Sequence, residues 1–177
     1  MLPCSSLLRH KVPNLESAAR AGRLGVNMIL GLLAGQPESV KYLTDIYWNA
    51  AREAGHDLSK LQVSVTGHAY VASDGEQAIR EFTPHYNQYF GYFLKERGQR
   101  FHTTAEEIMS QRAANQILAV GSPEKIAEKI LYQHECFGHS RFMGQLDMGN
   151  QPMVRVEKAI DLLANKVAPI VRKALHS

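Results

Sequence analysis

The chain has 177 residues, 45% of them hydrophobic, and a formal net charge of +3 at pH 7. That length and apolar content suffice for one domain with a true core. Acidic and basic residues are interspersed and no basic run occurs, which argues against nucleic acid as a partner, and the small excess makes no case for a membrane surface.

Met1 to Pro13 lacks the apolar core of a signal peptide. With only two cysteines, Cys4 and Cys136, and no disulfide framework, a reducing cytoplasm is the expected location. Leu7 to Val12 is a candidate strand. Residues 15–24 are rich in Ala, Arg and Leu and read as a short helix that Gly25 ends. Val26 to Leu30 is a short apolar run, as in a buried strand. Residues 38–54 form an amphipathic helix with Val40, Leu43, Tyr47, Ala50 and Ala54 on one face.

Leu61 to Ala72 is the clearest strand, with Val63, Val65, Gly67, Ala69 and Val71 on one side. A helix from about Glu76 to Arg97 turns Ala78, Phe82, Tyr86, Tyr89 and Phe93 inward, and Pro84 should kink or break it. Those aromatics fall at helical spacing, so they read as core or subunit interface rather than a base-stacking surface. Residues 98–119 are polar at first and then read as helical. Ser122 and Pro123 start the next helix as N-cap and first residue, and Gly138 stops it. Arg141 to Met148 reads as a strand. The last helix runs from about Met153 to Leu175 with Val156, Ile160, Leu163, Val167 and Ile170 on its apolar face, bent by Pro169.

Strands alternate with helices as β-α-β-α-α-β-α, the pattern of right-handed parallel crossovers, so the class is α/β. No linker divides the chain, and residues 1–177 read as a single domain. Three strands and the Leu7–Val12 candidate are too few for a closed eight-stranded barrel, which needs at least about 200 residues.

Pro13 to Gly25 places polar residues where a helix begins. Backbone N–H groups at such an end point outward and the helix dipole favours an anion there. Asn14 can cap, and Ser17 can offer a hydroxyl from the first turn. Read alone, these are also ordinary capping residues. Other groups carry less. His134, Cys136 and His139 are close in sequence, but His134 and Cys136 are two apart on a helix and diverge, so no metal site is expected. Cys136 reads as a packed thiol. Asp147 lies near a strand's C-terminal end, where barrel catalytic residues often sit, but reads as a polar loop residue. None of the eight histidines sits in a recognisable motif; His68, on the clearest strand, is the one that could approach a pocket and reads as structural.

The same helix start, Asn14-Leu15-Glu16-Ser17-Ala18-Ala19-Arg20-Ala21-Gly22-Arg23-Leu24-Gly25, resembles the "GSPESARLAGRLGL" stretch of the bacterial-luciferase-like, flavin-dependent monooxygenases. Further stretches match in order: Tyr70-Val71-Ala72-Ser73-Asp74 with Glu76-Gln77-Ala78, Ala119 to Ala127, Phe137 to Phe142 with Gln145 to Gly149, and Lys166 to Arg172. The likeness runs from about residue 13 to the C-terminus; residues 1–12 match poorly. It implies a flavoprotein oxidoreductase on a partial TIM (β/α)8 barrel comprising the C-terminal strands and helices. The implied cofactor is FMN, used as reduced flavin with O2 as co-substrate on a small organic substrate, and the implied partner is a flavin reductase. By carry-over the flavin phosphate is held by Asn14, Leu15 through its backbone, and Ser17, while no catalytic residue can be assigned. The first half of the barrel has no counterpart, so the chain is expected to be truncated, inactive alone, and to self-associate or pair with a chain that supplies the missing strands. The competing expectation is a non-catalytic remnant that holds flavin or another phosphate ligand.

Overall fold

In a parallel sheet the most apolar strand belongs in the middle, and here Val63-Ser64-Val65-Thr66-Gly67-His68-Ala69-Tyr70-Val71 takes that place. The computed structural model describes residues 15–33 and 35–176; Asn14 and the Leu7–Val12 segment lie outside them. In chain order the elements are α1 (Leu15–Arg23), β1 (Met28–Leu32), a 3-10 turn (Pro37–Val40), α2 (Tyr42–Glu53), a second 3-10 turn (Leu58–Lys60), β2 (Val63–Val71), α3 (Gly75–Lys95), α4 (Ala105–Gln111), β3 (Ala119–Gly121), α5 (Pro123–Phe137), β4 (Arg141–Gln145), α6 (Met153–Leu162), a π turn (Leu163–Val167) and α7 (Ala168–Leu175). Among the described residues no helix is long and apolar enough to cross a membrane.

Among the described residues all pairing is parallel and all of it involves β2. β1 pairs from Met28↔Val63 to Leu32↔Gly67, and β4 from Ser64↔Arg141 to His68↔Gln145, so these two strands take opposite edges of the same stretch. β3 takes the last residues, Ala69↔Ala119 to Val71↔Gly121. Position makes β2 buried on both faces, where its alternation indicated one. Two cores result. Leu30, Leu43, Tyr47, Val63 and Val65 form one under α1 and α2. Phe82, Tyr86, Ile108, Leu118, Val120 and Ile126 form part of the other, around α3, α4 and α5.

Local signals set most boundaries. Ser122 caps α5 with its hydroxyl accepting from the Lys125 N–H, and Gly138 closes that helix in the left-handed region at φ 60°. Thr104 and Glu107 form a reciprocal capping box at α4. Five readings change. β1 begins two residues later than its apolar run suggested. The segment read as helical up to residue 119 ends in β3, whose three residues are too few to show a period. Phe93 is 52% exposed, because the inward stripe of α3 is Ala78, Phe82, Tyr86, Phe90 and Leu94. α3 also runs unbroken through Pro84. Ile160 and Ile170 are exposed too; the buried positions are Val156 and Ala159 on α6 and Val167 at the end of the π turn. That wide turn just before Pro169 fits a residue lacking an N–H and crowding the carbonyl a turn earlier.

α1 is bound to α2 by one close approach. A Cβ on Gly22 would overlap the Tyr47 carbonyl oxygen and press on Ala50. Gly22→Val should therefore cost about 3 kcal/mol, at the upper end of overpacking effects. The check is a urea unfolding midpoint lower by roughly 1.5 M at an m-value of about 2 kcal/mol/M.

Candidate functional site

Ligands of open parallel sheets collect outside the carboxyl ends of the strands, and two features lie there. The first is the start of α1. Its far end is fastened at the amino ends of the strands: His56 Nε2 donates to the Arg23 carbonyl at 2.8 Å, Tyr47 donates to the Val26 carbonyl at 2.9 Å, and Met28 N–H donates to Gln62. Running back from there, α1 brings Leu15, Glu16 and Ser17 toward the carboxyl end of β1. Ala18 and Gly22 are its buried residues, while Leu15 is 51% exposed and Ser17 is exposed. The first N–H groups of a helix have no intrahelical acceptor, and this turn faces outward. Of the expected phosphate ligands, Leu15 and Ser17 are therefore brought together on an accessible turn; Asn14 lies outside the described residues.

The second feature is an open groove of about 730 Å³ at the end of β2, between α3 and α6. Tyr70 Oη donates to Glu81 Oε2 at 2.7 Å, Gln77 Nε2 donates to Glu81 Oε1 at 3.2 Å, and Arg155 Nε lies 3.7 Å from the same carboxylate. Burial, then the Glu81 carboxylate, push the Tyr70 hydroxyl above its ordinary range, so it stays a donor. Burial works against charge on Glu81, but the bonds from Tyr70 and Gln77 and the charges of Arg155 and Lys158 outweigh it and hold the carboxyl low. Asp74 caps α3 at this rim by accepting from the Gln77 N–H at 2.8 Å. Sequence reasoning missed this network. Tyr70 stood in a recognised stretch, but nothing local linked it to Glu81 or Arg155.

His68 is not at either feature. It is 4% exposed beneath Tyr86, Tyr89 and Phe90, which meet its ring edge-on at 5.6–6.0 Å. Its ring hydrogen-bonds the Gln145 side chain, Nδ1 has no partner, and burial pushes its pKa down to about 4. It is a neutral core residue. Cys136 is half-buried, and burial followed by the Glu38 and Glu135 charges raises its thiol pKa, the opposite of what a nucleophile needs. Asp147 is exposed beyond β4.

The sequence profile described as luciferase-like monooxygenase matches residues 14–140. Comparison with curated proteins finds no match. Among solved structures, the monooxygenase RslO1 from Streptomyces bottropensis is 20% identical with a TM-score of 0.68, over 88% of this chain and 45% of that one. The oxygenating constituent of 3,6-diketocamphane monooxygenase from Pseudomonas putida, a type II Baeyer-Villiger monooxygenase in complex with FMN, is 23% identical with a TM-score of 0.55, over 88% and 45%. The coenzyme F420 dependent tetrahydromethanopterin reductase from Methanopyrus kandleri is 17% identical with a TM-score of 0.57, over 89% and 49%. The chain thus spans about half the length of the structures it resembles.

Proposed function

The chain belongs to the luciferase-like monooxygenase family, and on that premise we propose that its residues form the part of a flavin-dependent oxidoreductase barrel that holds the phosphate of FMN. The observation that carries this reading is the accessible first turn of α1 beside the carboxyl end of β1. Leu15 offers a backbone N–H, Ser17 a hydroxyl and N–H, and Asn14 a neighbouring polar group. The residues fit a phosphate in all but one respect: the Glu16 carboxylate opposes a dianion, so the donors must turn away from it. The helix dipole contributes about 0.3–2 kcal/mol and charge-assisted hydrogen bonds more.

Reduced flavin supplies the electrons that let O2 oxidise a small organic substrate. The chain's own contributions are to orient the cofactor by its phosphate and to exclude water from one side of the reacting region. A partial (β/α)8 barrel, a single domain, and delivery of reduced flavin by a separate reductase belong to the same proposal. A second reading, a non-catalytic module that binds flavin or another phosphate ligand, is favoured by the burial of His68, which leaves it no access to a substrate.

FMN fluorescence quenching tests the site. Ser17→Ala should weaken FMN binding about tenfold or more, matching loss of a hydrogen bond to a charged group worth about 1.5–3 kcal/mol. Riboflavin, which lacks the phosphate, should bind equally to both proteins. Equal FMN affinity in the two would remove the assignment. Oxygen consumption with a flavin reductase and reductant then separates the oxidoreductase from the binding module.

A further inference from the structure

The groove between α3 and α6 leaves two cations open. Its carboxylate at the centre, Glu81, is fully engaged: Oε2 accepts from Tyr70, Oε1 accepts from Gln77, and Arg155 Nε stands 3.7 Å from Oε1. Gln77 is fixed in turn by the Ser73 hydroxyl, which donates to its Oε1. A guanidinium approached at Nε keeps its end-on fork, the two terminal NH2 groups, available for a second planar acceptor. Among the described residues that fork makes no hydrogen bond or further ion pair, and neither does the Lys158 ammonium. Lys158 follows Arg155 by three positions, hence on the same side of α6, and lines the same groove. Its charge also acts on Glu81. Glu81 thus holds Arg155 in place before any ligand arrives, which removes part of the ordering cost of binding.

We propose that this groove binds a small organic monocarboxylate, with its carboxylate on the Arg155 fork and Lys158 and its apolar chain along Val71, Val154 and Leu162. Charge selects the class. Glu81, Glu157 and Asp161 line the groove against Arg155 and Lys158, three negative groups to two positive. Glu81 is already engaged, and Asp161 accepts from Asn165. A single carboxylate meets two open cations. A phosphate dianion or a dicarboxylate would bring a second negative charge against Glu157 and Asp161. An amine would depend on those two acids, which are exposed, whereas Arg155 is the least exposed of the open charges and the least screened by water. The volume of about 730 Å³ admits a chain of several carbons beside the apolar wall. The inference stands without the flavin reading, since no residue of α1 enters the groove.

Hexanoate is the probe, titrated into the unmodified chain and followed by amide NMR shifts. Shifts should cluster in residues 70–81 and 153–162 and saturate with a Kd of about 1 mM. Arg155→Gln should weaken binding by about tenfold or more, as expected for loss of a charge-assisted contact. Lys158→Gln, at an exposed position that the fold does not depend on, should weaken it by about threefold. Arg52→Gln, an exposed change on α2 that alters net charge equally, should leave hexanoate binding as it was. Inorganic phosphate and hexylamine should bind at least about tenfold more weakly than hexanoate. The proposal is overturned by shifts that fail to saturate by about 10 mM, by shifts centred elsewhere, or by parent-like binding in either groove variant. Equal weakening by Arg52→Gln, or phosphate or hexylamine binding as tightly as hexanoate, would overturn it too.

Discussion

Stability should fall steeply as pH drops from about 6.5 to about 4, because two buried histidines must take up protons on unfolding. His68 and His139 are each 4% exposed, and burial pushes both pKa values down from 6.5 to about 4. Around His68 stand Tyr86, Tyr89, Phe90 and Gln145, with no carboxylate to stabilise the cation. His139 has His134 beside it, whose charge lowers it further, and its Nδ1 has no partner. Since both folded values lie below the unfolded one, the unfolded chain binds more protons inside this window. The stabilisation is complete above pH 6.5 and disappears as pH falls through about 4. Lowering each pKa from 6.5 to about 4 corresponds to about 3 kcal/mol for each residue. Together they contribute about 6 kcal/mol, comparable with the 5–15 kcal/mol that holds an ordinary domain together. Urea unfolding at a series of pH values gives the slope directly. In the His68→Gln, His139→Asn double variant most of that slope should vanish; an unchanged profile would assign the acid sensitivity elsewhere.

Lys129→Met should destabilise the protein by about 3 kcal/mol even though it replaces a charge in the core with an apolar chain of similar length. Lys129 is fully buried on α5, and its ammonium donates to the carbonyls of Ala113, Ala114 and Gln116. That single group gathers the turn leading from α4 into β3. Two effects oppose each other on substitution. Burial, with the charge of Lys125, lowers the lysine pKa from 10.5 to about 8, so removing the ammonium relieves about 3 kcal/mol. Three part-buried carbonyls lose their donor at about 1–3 kcal/mol each, or about 6 kcal/mol in all. The carbonyls win by about 3 kcal/mol. Amide exchange should rise first in residues 112–121, as the turn and β3 open together. Between about pH 8 and 10.5 the unfolded chain again holds the extra proton, so stability should rise with pH in the parent and lose this increment in the variant. A change in midpoint worth under about 0.5 kcal/mol would mean that the turn is held by other contacts.

Interactions reaching about four residues along the chain are readable from the letters alone. That range covers the caps of α5, the left-handed Gly138, the stripe of α2, and the strand-helix alternation that made the class α/β. It also covers the polar start of α1, which is why Ser17 was a candidate, while the resemblance in ordered short stretches made the family recognisable and added Leu15. Everything that depends on which surfaces meet was decided in three dimensions. β2 looked one-sided until helices covered both of its faces, and His68 looked accessible until α3 laid three aromatic rings over it. Tyr70, Glu81 and Arg155 converge because α6 returns to the rim of β2, and Lys129 is a tether because a turn wraps over its tip. β4 pairs with β2 although β3 precedes it in the chain, since three residues of β3 cover only the last part of the β2 edge. The physical reason is common to all of these. Helix caps and periodicity are set by backbone geometry within a turn or two, whereas burial, pKa and strand neighbours are set by contacts between segments far apart in the chain, and local pattern holds no record of them.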